Sequence, residues 1–107
     1  MASTIIILGT LNTKELEGSY IRRQIESFGH KTIFIDVSMR KCSPKLLRQD
    51  DISNEKVVKA AGSNIEEVEK LERMPAINIM VKGATKIVTD MLREGKLYGL
   101  PGSIMKT

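Results

Sequence analysis

Residues 9–14, Gly9-Thr10-Leu11-Asn12-Thr13-Lys14, carry the first chemistry the chain offers. Gly9 admits close backbone approach, Thr10, Asn12 and Thr13 supply side-chain donors, and Lys14 adds a cation. Set between a buried strand and the start of a helix, such a loop suits a phosphate or carboxylate, which helix N–H groups and the helix dipole attract. The spacing matches neither the G-x-G-x-x-G fingerprint nor the Walker pattern, so a plain strand-to-helix turn with an N-cap competes with the anion site. Asp36 is the second candidate. It closes another apolar run, where dinucleotide folds place an acid against a ribose hydroxyl. An aspartate capping its own loop explains it as well. The third is the run containing Arg40, Lys41, Lys45 and Arg48, with no acid until Asp50. It would focus an anionic ligand, or it is a solvated basic loop.

No constellation of catalytic residues or metal ligands emerges from the rest. His30 has no nucleophile patterned with it and suits a helix C-terminus. Cys42 has basic neighbours that would lower its pKa, but no His or Cys partner, so an incidental thiol is expected. The net charge is 17 − 13 = +4, with two Tyr, two Phe and no Trp. That is thin material for nucleic-acid binding, which uses basic stripes and stacking aromatics. One cysteine forms no internal disulfide, and the apolar run at 5–8 is far short of the roughly 20 residues that cross a bilayer. No signal-peptide pattern opens the chain. A cytoplasmic setting and no membrane association are therefore expected. At 41% hydrophobic and 28% charged, the 107 residues have the composition of a single globular domain.

The elements that must position these residues are legible in outline. Thr4-Ile5-Ile6-Ile7-Leu8-Gly9 reads as a strand buried on both faces, the pattern of a parallel sheet. A helix is predicted over 14–28, capped by Thr13, with Leu16, Tyr20, Ile21, Gln24, Ile25 and Phe28 on one face and Gly29 at its end. Gly18 inside that helix suggests that something approaches closely there. A second strand is predicted over 32–37, completing a right-handed βαβ unit. A loop follows over 38–52, then a short helix capped by Ser53 that carries Val57 and Val58. Ser63 and Glu66 have capping-box spacing for another helix. Pro75 suits the first turn of a last helix over 76–94, with Ile77, Met80, Val81, Ala84, Ile87, Val88, Met91 and Leu92 at helical spacing. Met74, Met80 and Met91 are expected in the packing. Leu97-Tyr98-Gly99-Leu100 suggests a third strand, cut short by Pro101. The fold class is α/β, Rossmann-like, with a short parallel sheet of two to three strands and about four helices.

Several of these pieces fall in an order that resembles a known family. They are Ile5 to Lys14, Gly29-His30 before Ile35-Asp36-Val37, Asp51-Ile52-Ser53, and Lys82-Gly83-Ala84. Together they resemble the N-terminal ATP-binding domain of proteins related to the tomato mosaic virus resistance protein. The resemblance runs to about Gly99. It implies a cytoplasmic nucleotide-binding domain that takes ATP, with or without Mg. Gly9, Thr10, Asn12, Thr13 and Lys14 would lie at the nucleotide, and Asp36 is a weaker transfer. The family pattern continues into a Gly-Gly-Ser-Gly-Gly-Thr loop, whereas here Gly99 leads to Pro101-Gly102-Ser103 and residue 107. That departure implies the first half of a larger domain and weak nucleotide binding. It also raises a second expectation of another class. The module would pair through its sheet edge and last helix, as a homo-oligomer or with a separately encoded remainder.

Overall fold

The structure, a computed structural model, describes residues 4–94 and 104–106. Strand β1 (Thr4–Gly9) lies between β2 (Lys31–Asp36) and β3 (Ile104–Lys106) in the order β2-β1-β3, all parallel. The register runs from Thr4 opposite Lys31 to Gly9 opposite Asp36, and from Ile6 opposite Ile104 to Leu8 opposite Lys106. Four helices accompany it among the described residues: α1 (Leu11–Ser27), α2 (Asn54–Ala60), α3 (Ile65–Glu69) and α4 (Arg73–Arg93). This is the α/β, Rossmann-like arrangement that the apolar runs predict. The strand expected at 97–100 lies outside the described residues, and β3 comes after it in the chain.

Ile6 and Ile7 are both fully buried, one toward each face of the sheet. On one face Ile7 and Phe34 pack with Leu11 and Ile25 of α1. On the other, Ile6 and Ile35 pack with Val57, Val58, Val68, Met80 and their neighbours from the other three helices. The loop over 38–52 returns along β2. Ile52 forms a parallel bridge to Ile35, its N–H donating to the Phe34 carbonyl at 2.8 Å while its own carbonyl accepts from Asp36 N–H at 2.9 Å. The outer edge of β2 is thereby partly covered, a common protection for exposed strand hydrogen-bonding groups.

Helix α1 departs most from expectation. It starts at Leu11, with a non-helical residue at Lys14 (φ −120°, ψ 25°). Its buried face is Leu11, Gly18, Arg22 and Ile25, while Leu16 is 82% and Phe28 77% exposed. The inward face is set by Gly18, where an added Cβ would lie 2.9 Å from the Phe34 ring and 3.2 Å from Leu11. Small residues at that point bring helix and sheet together; of the apolar row predicted as the core face, Ile25 is buried and Ile21 packs beside it, while Leu16, Tyr20 and Phe28 turn outward.

The remaining boundaries shift in smaller ways. Thr13 does not cap α1; Thr10 holds that position and makes no side-chain cap bond. Ser53 caps α2 as predicted, through Lys56 N–H, but α3 is capped by Asn64 through Glu67 N–H rather than by Ser63. Gly29 adopts φ +85°, the left-handed conformation expected after α1. Helix α4 begins three residues before the predicted start at 76, keeps Pro75 in its first turn, and buries Met80 and Met91. Met74 is 62% exposed and is not part of the packing. A Cβ at Gly83 would run into the Val57 carbonyl, so this glycine seats α4 on α2.

Candidate functional site

The loop after β1 enters α1 with its first N–H groups already engaged. Leu11 N–H donates to Asp36 Oδ1 at 3.2 Å, and Asn12 N–H to Ser38 Oγ at 3.0 Å. The N–H groups of Thr13 and Lys14 both donate to the Thr10 carbonyl. The carboxylate drawn to this helix start is therefore the chain's own Asp36. It is fully buried, and its Oδ1 also accepts from Ser38 N–H at 3.0 Å and from the Ser38 hydroxyl. The Cys42 thiol donates to Asp36 Oδ2 at 3.3 Å. Asp36 caps its own loop and a helix from another part of the chain, and its oxygens face these partners.

Cys42 shows the cost of that neighbourhood. Burial first, then the Asp36 charge beside it, push the thiol up to about 11 from an ordinary 9.0. The basic residues nearby in sequence do not lower it, because the group in contact with the sulfur is an acid.

Two clefts flank this framework. The first, of about 420 Å³, is polar and lies by the start of β2 and the end of the long loop. Four of its charges are joined in two pairs. Arg22 and Asp51, each 1% exposed at the side chain, form a two-pronged ion pair, with Nη1 to Oδ2 at 2.7 Å. Arg22 Nε also donates to Thr32 Oγ1 at 2.8 Å, and Asp51 accepts from the N–H groups of Phe34 and Arg48. Arg48 forms a second forked pair with Glu26, at 2.7 and 3.0 Å. That contact holds the Glu26 carboxyl below its usual range and raises the Arg48 guanidinium above its own. Of the basic loop, Arg48 thus points into this cleft as a structural partner. Lys41 N–H donates to Glu69, and the Arg40 carbonyl accepts from Asn54.

The second cleft, of about 560 Å³, opens between the carboxyl end of β1 and helix α4. Leu8, Gly9 and Thr10 form its floor, Val37 and Met39 one side, and Ile77, Met80, Val81 and Val88 the α4 wall. Arg73, Thr10, Thr85 and Thr89 are its polar groups. Its position follows from the topology. From β1 the chain goes to β2 on one side, then crosses through α4 to β3 on the other, so the strand order reverses beside β1. In open α/β sheets, ligands bind in the crevice outside the strand carboxyl ends at such a point. Volume and apolar lining fall in the usual range for small-molecule sites.

The six residues singled out from sequence are therefore divided. Gly9 and Thr10 line the apolar crevice. Asn12, Thr13 and Lys14 are exposed on the first turn of α1 and do not line it; Lys14 Nζ lies 3.9 Å from Glu17. Asp36 is behind them in the framework. Sequence reasoning missed Arg22 with Asp51, and Arg73. Gly18 was the available signal for the first, since it marks the helix face that meets the sheet; nothing local marked Arg73. Among the described residues no group of three His, Cys, Asp or Glu is placed to hold a metal ion, and no helix is long and apolar enough to cross a membrane.

Comparison with known proteins gives the chain a family. Residues 3–104 match the model of the N-terminal domain of an uncharacterised protein family, UPF0261. A UPF0261 protein of Clostridium tetani (strain Massachusetts / E88) is 38% identical over 101 residues, covering 94% of this chain and 24% of that relative. No solved structure matches. The apolar strands, the Asp36-capped turn and the helical crossover described above are thus those of a chain that belongs to UPF0261, within the family's N-terminal domain.

Proposed function

We propose that this domain binds a nucleotide, ATP by the resemblance to the virus-resistance protein's family, in the crevice beside β1 and α4. The observation that carries the reading is the placement of Gly9 and Thr10 on the floor of an apolar crevice where the strand order reverses. Apolar walls from Val37, Met39, Ile77 and Val81 suit a base, and Gly9 lets a ligand lie against the backbone. Among the described lining residues there is no carboxylate, so Mg would arrive on the phosphates rather than on the protein. The chain holds and orients the ligand through these walls and the backbone at Gly9.

The test is a thermal melt with and without millimolar Mg-ATP. A ligand at 100 times its Kd adds about 2.7 kcal/mol, a rise of several degrees in a domain of this size. Thr10→Val should reduce the rise, and Lys14→Ala, outside the crevice, should leave most of it. A melt that does not move with ATP refutes the reading.

A second reading is favoured by exposed apolar groups on α4. Val81 is 57% and Leu92 45% exposed, and β3 stands at the sheet edge. The occupant of this face would be a second copy of the chain or a separately encoded remainder of the domain; the chain spans 24% of the length of its Clostridium relative. Sedimentation alone and with such a remainder separates the two readings. Self-association or binding of the remainder without any response to ATP favours assembly.

A further inference from the structure

The described lining of the crevice is an apolar body with a single charge. Among its described lining residues Arg73 is the one ionisable side chain; the rest are apolar groups, glycine and threonines. Arg73 is exposed, at the first position of α4, and has no ion pair among the described residues. The other cations that a sequence reader would nominate are elsewhere. Arg22 and Arg48 are held by Asp51 and Glu26, and Lys14 lies beside Glu17. The N–H groups opening α1 are occupied by Asp36, Ser38 and the Thr10 carbonyl. Among the described residues that line the crevice, none belongs to α1 or to the basic run at 40–48.

We infer that Arg73 is the anion-binding residue of the crevice, and that its ligands combine a flat apolar body with an anionic end. An apolar body removes itself from water against Val37, Ile77 and Val81, while the guanidinium fork holds phosphate, sulfonate or carboxylate oxygens by charge-assisted hydrogen bonds. Nucleotides are one member of this class, so the inference rests on the nucleotide reading for its natural ligand. It does not need that reading for its chemistry.

The experiment titrates wild-type protein, Arg73→Ala and Arg73→Lys with ATP, adenosine and anilinonaphthalene sulfonate, an apolar fluorophore with one anionic group. Arg73→Ala should weaken ATP and the fluorophore by about tenfold to a hundredfold, the size of one charge-assisted contact, and leave adenosine unchanged. Arg73→Lys should recover part of the loss. Added salt should weaken ATP binding to wild type more than to Arg73→Ala. Arg48→Ala, which removes a cation from the other cleft, should change none of these affinities. If the fluorophore depends on Arg73 but ATP neither binds nor displaces it, the inference stands and the nucleotide reading falls. If ATP and fluorophore bind Arg73→Ala as tightly as wild type, the inference falls and the nucleotide reading survives. If neither binds wild type, both fall.

Discussion

The two clefts differ in what their charges face. In the polar cleft Arg22 pairs with Asp51 and Arg48 with Glu26, and both pairs join α1 to the long loop; Lys31 and Asp50 line it as well. Among the described lining residues of the apolar crevice, Arg73 is the one charge. Charge density alone would select the first as the site. Pairing favours the second, because the two arginines of the polar cleft are held by carboxylates, whereas Arg73 has no ion pair among the described residues.

The sharpest way to break that contrast is to unpair the first cleft. Arg22→Met leaves Asp51 buried without its cation and should lower stability by about 3–5 kcal/mol. Urea midpoints would measure it. Arg22→Met with Asp51→Leu should recover much of the loss, since a hydrophobic pair of similar volume can replace a buried ion pair. A loss below about 1 kcal/mol in the single variant would mean that the pair does not organise this face.

Asp36 tests whether the start of α1 is a framework joint or a site. Asp36→Ala leaves Leu11 N–H and Ser38 without their buried acceptor and should cost about 2–3 kcal/mol by thermal or urea unfolding. A stable variant with altered ligand affinity would instead argue that Asp36 serves the ligand.

The same joint has a pH signature through Cys42. Its pKa is raised on folding, so its contribution to stability is complete below the ordinary 9.0 and is lost as pH rises through about 11. The rate of alkylation by iodoacetamide should therefore have its midpoint near 11 in the folded chain. A midpoint at or below 9 would show that the thiol is not buried against Asp36.

The smallest effect belongs to Glu26 with Arg48, whose side chains are 29% and 56% exposed. Glu26→Gln should cost less than about 1 kcal/mol, and less still in high salt. Because the Glu26 pKa is lower in the folded chain, this stability is present above the ordinary 4.5 and fades as pH falls through the lowered value. Wild type and Glu26→Gln should therefore converge in acid.

What the sequence revealed depended on how local the cause was. Ile5-Ile6-Ile7-Leu8 and Ile33-Phe34-Ile35 are apolar runs whose burial on both faces needs no other part of the chain, and both strands were legible. So were Gly29 and Ser53, whose roles are set by their own backbone and by a neighbour three residues away. The buried face of α1 is legible only in part, at Ile21 and Ile25. Periodicity counts an arginine as solvent-facing, and Arg22 is inside because Asp51, 29 positions later, neutralises it. The α1 start is hidden from the sequence for a related reason: its first N–H groups are met by Asp36 and Ser38, 25 and 26 positions away. In the crevice, Gly9 and Thr10 were readable as the turn after a buried strand. Arg73 lines the same crevice through a crossover that no spacing rule encodes.

The most direct measurement is an amide chemical-shift titration of the labelled chain with Mg-ATP. The account predicts that Gly9, Thr10, Arg73, Ile77 and Thr85 move with a common affinity while Lys31, Thr32, Gln49 and Asp50 do not. Shifts confined to the polar cleft, or none at saturating ATP, would contradict it.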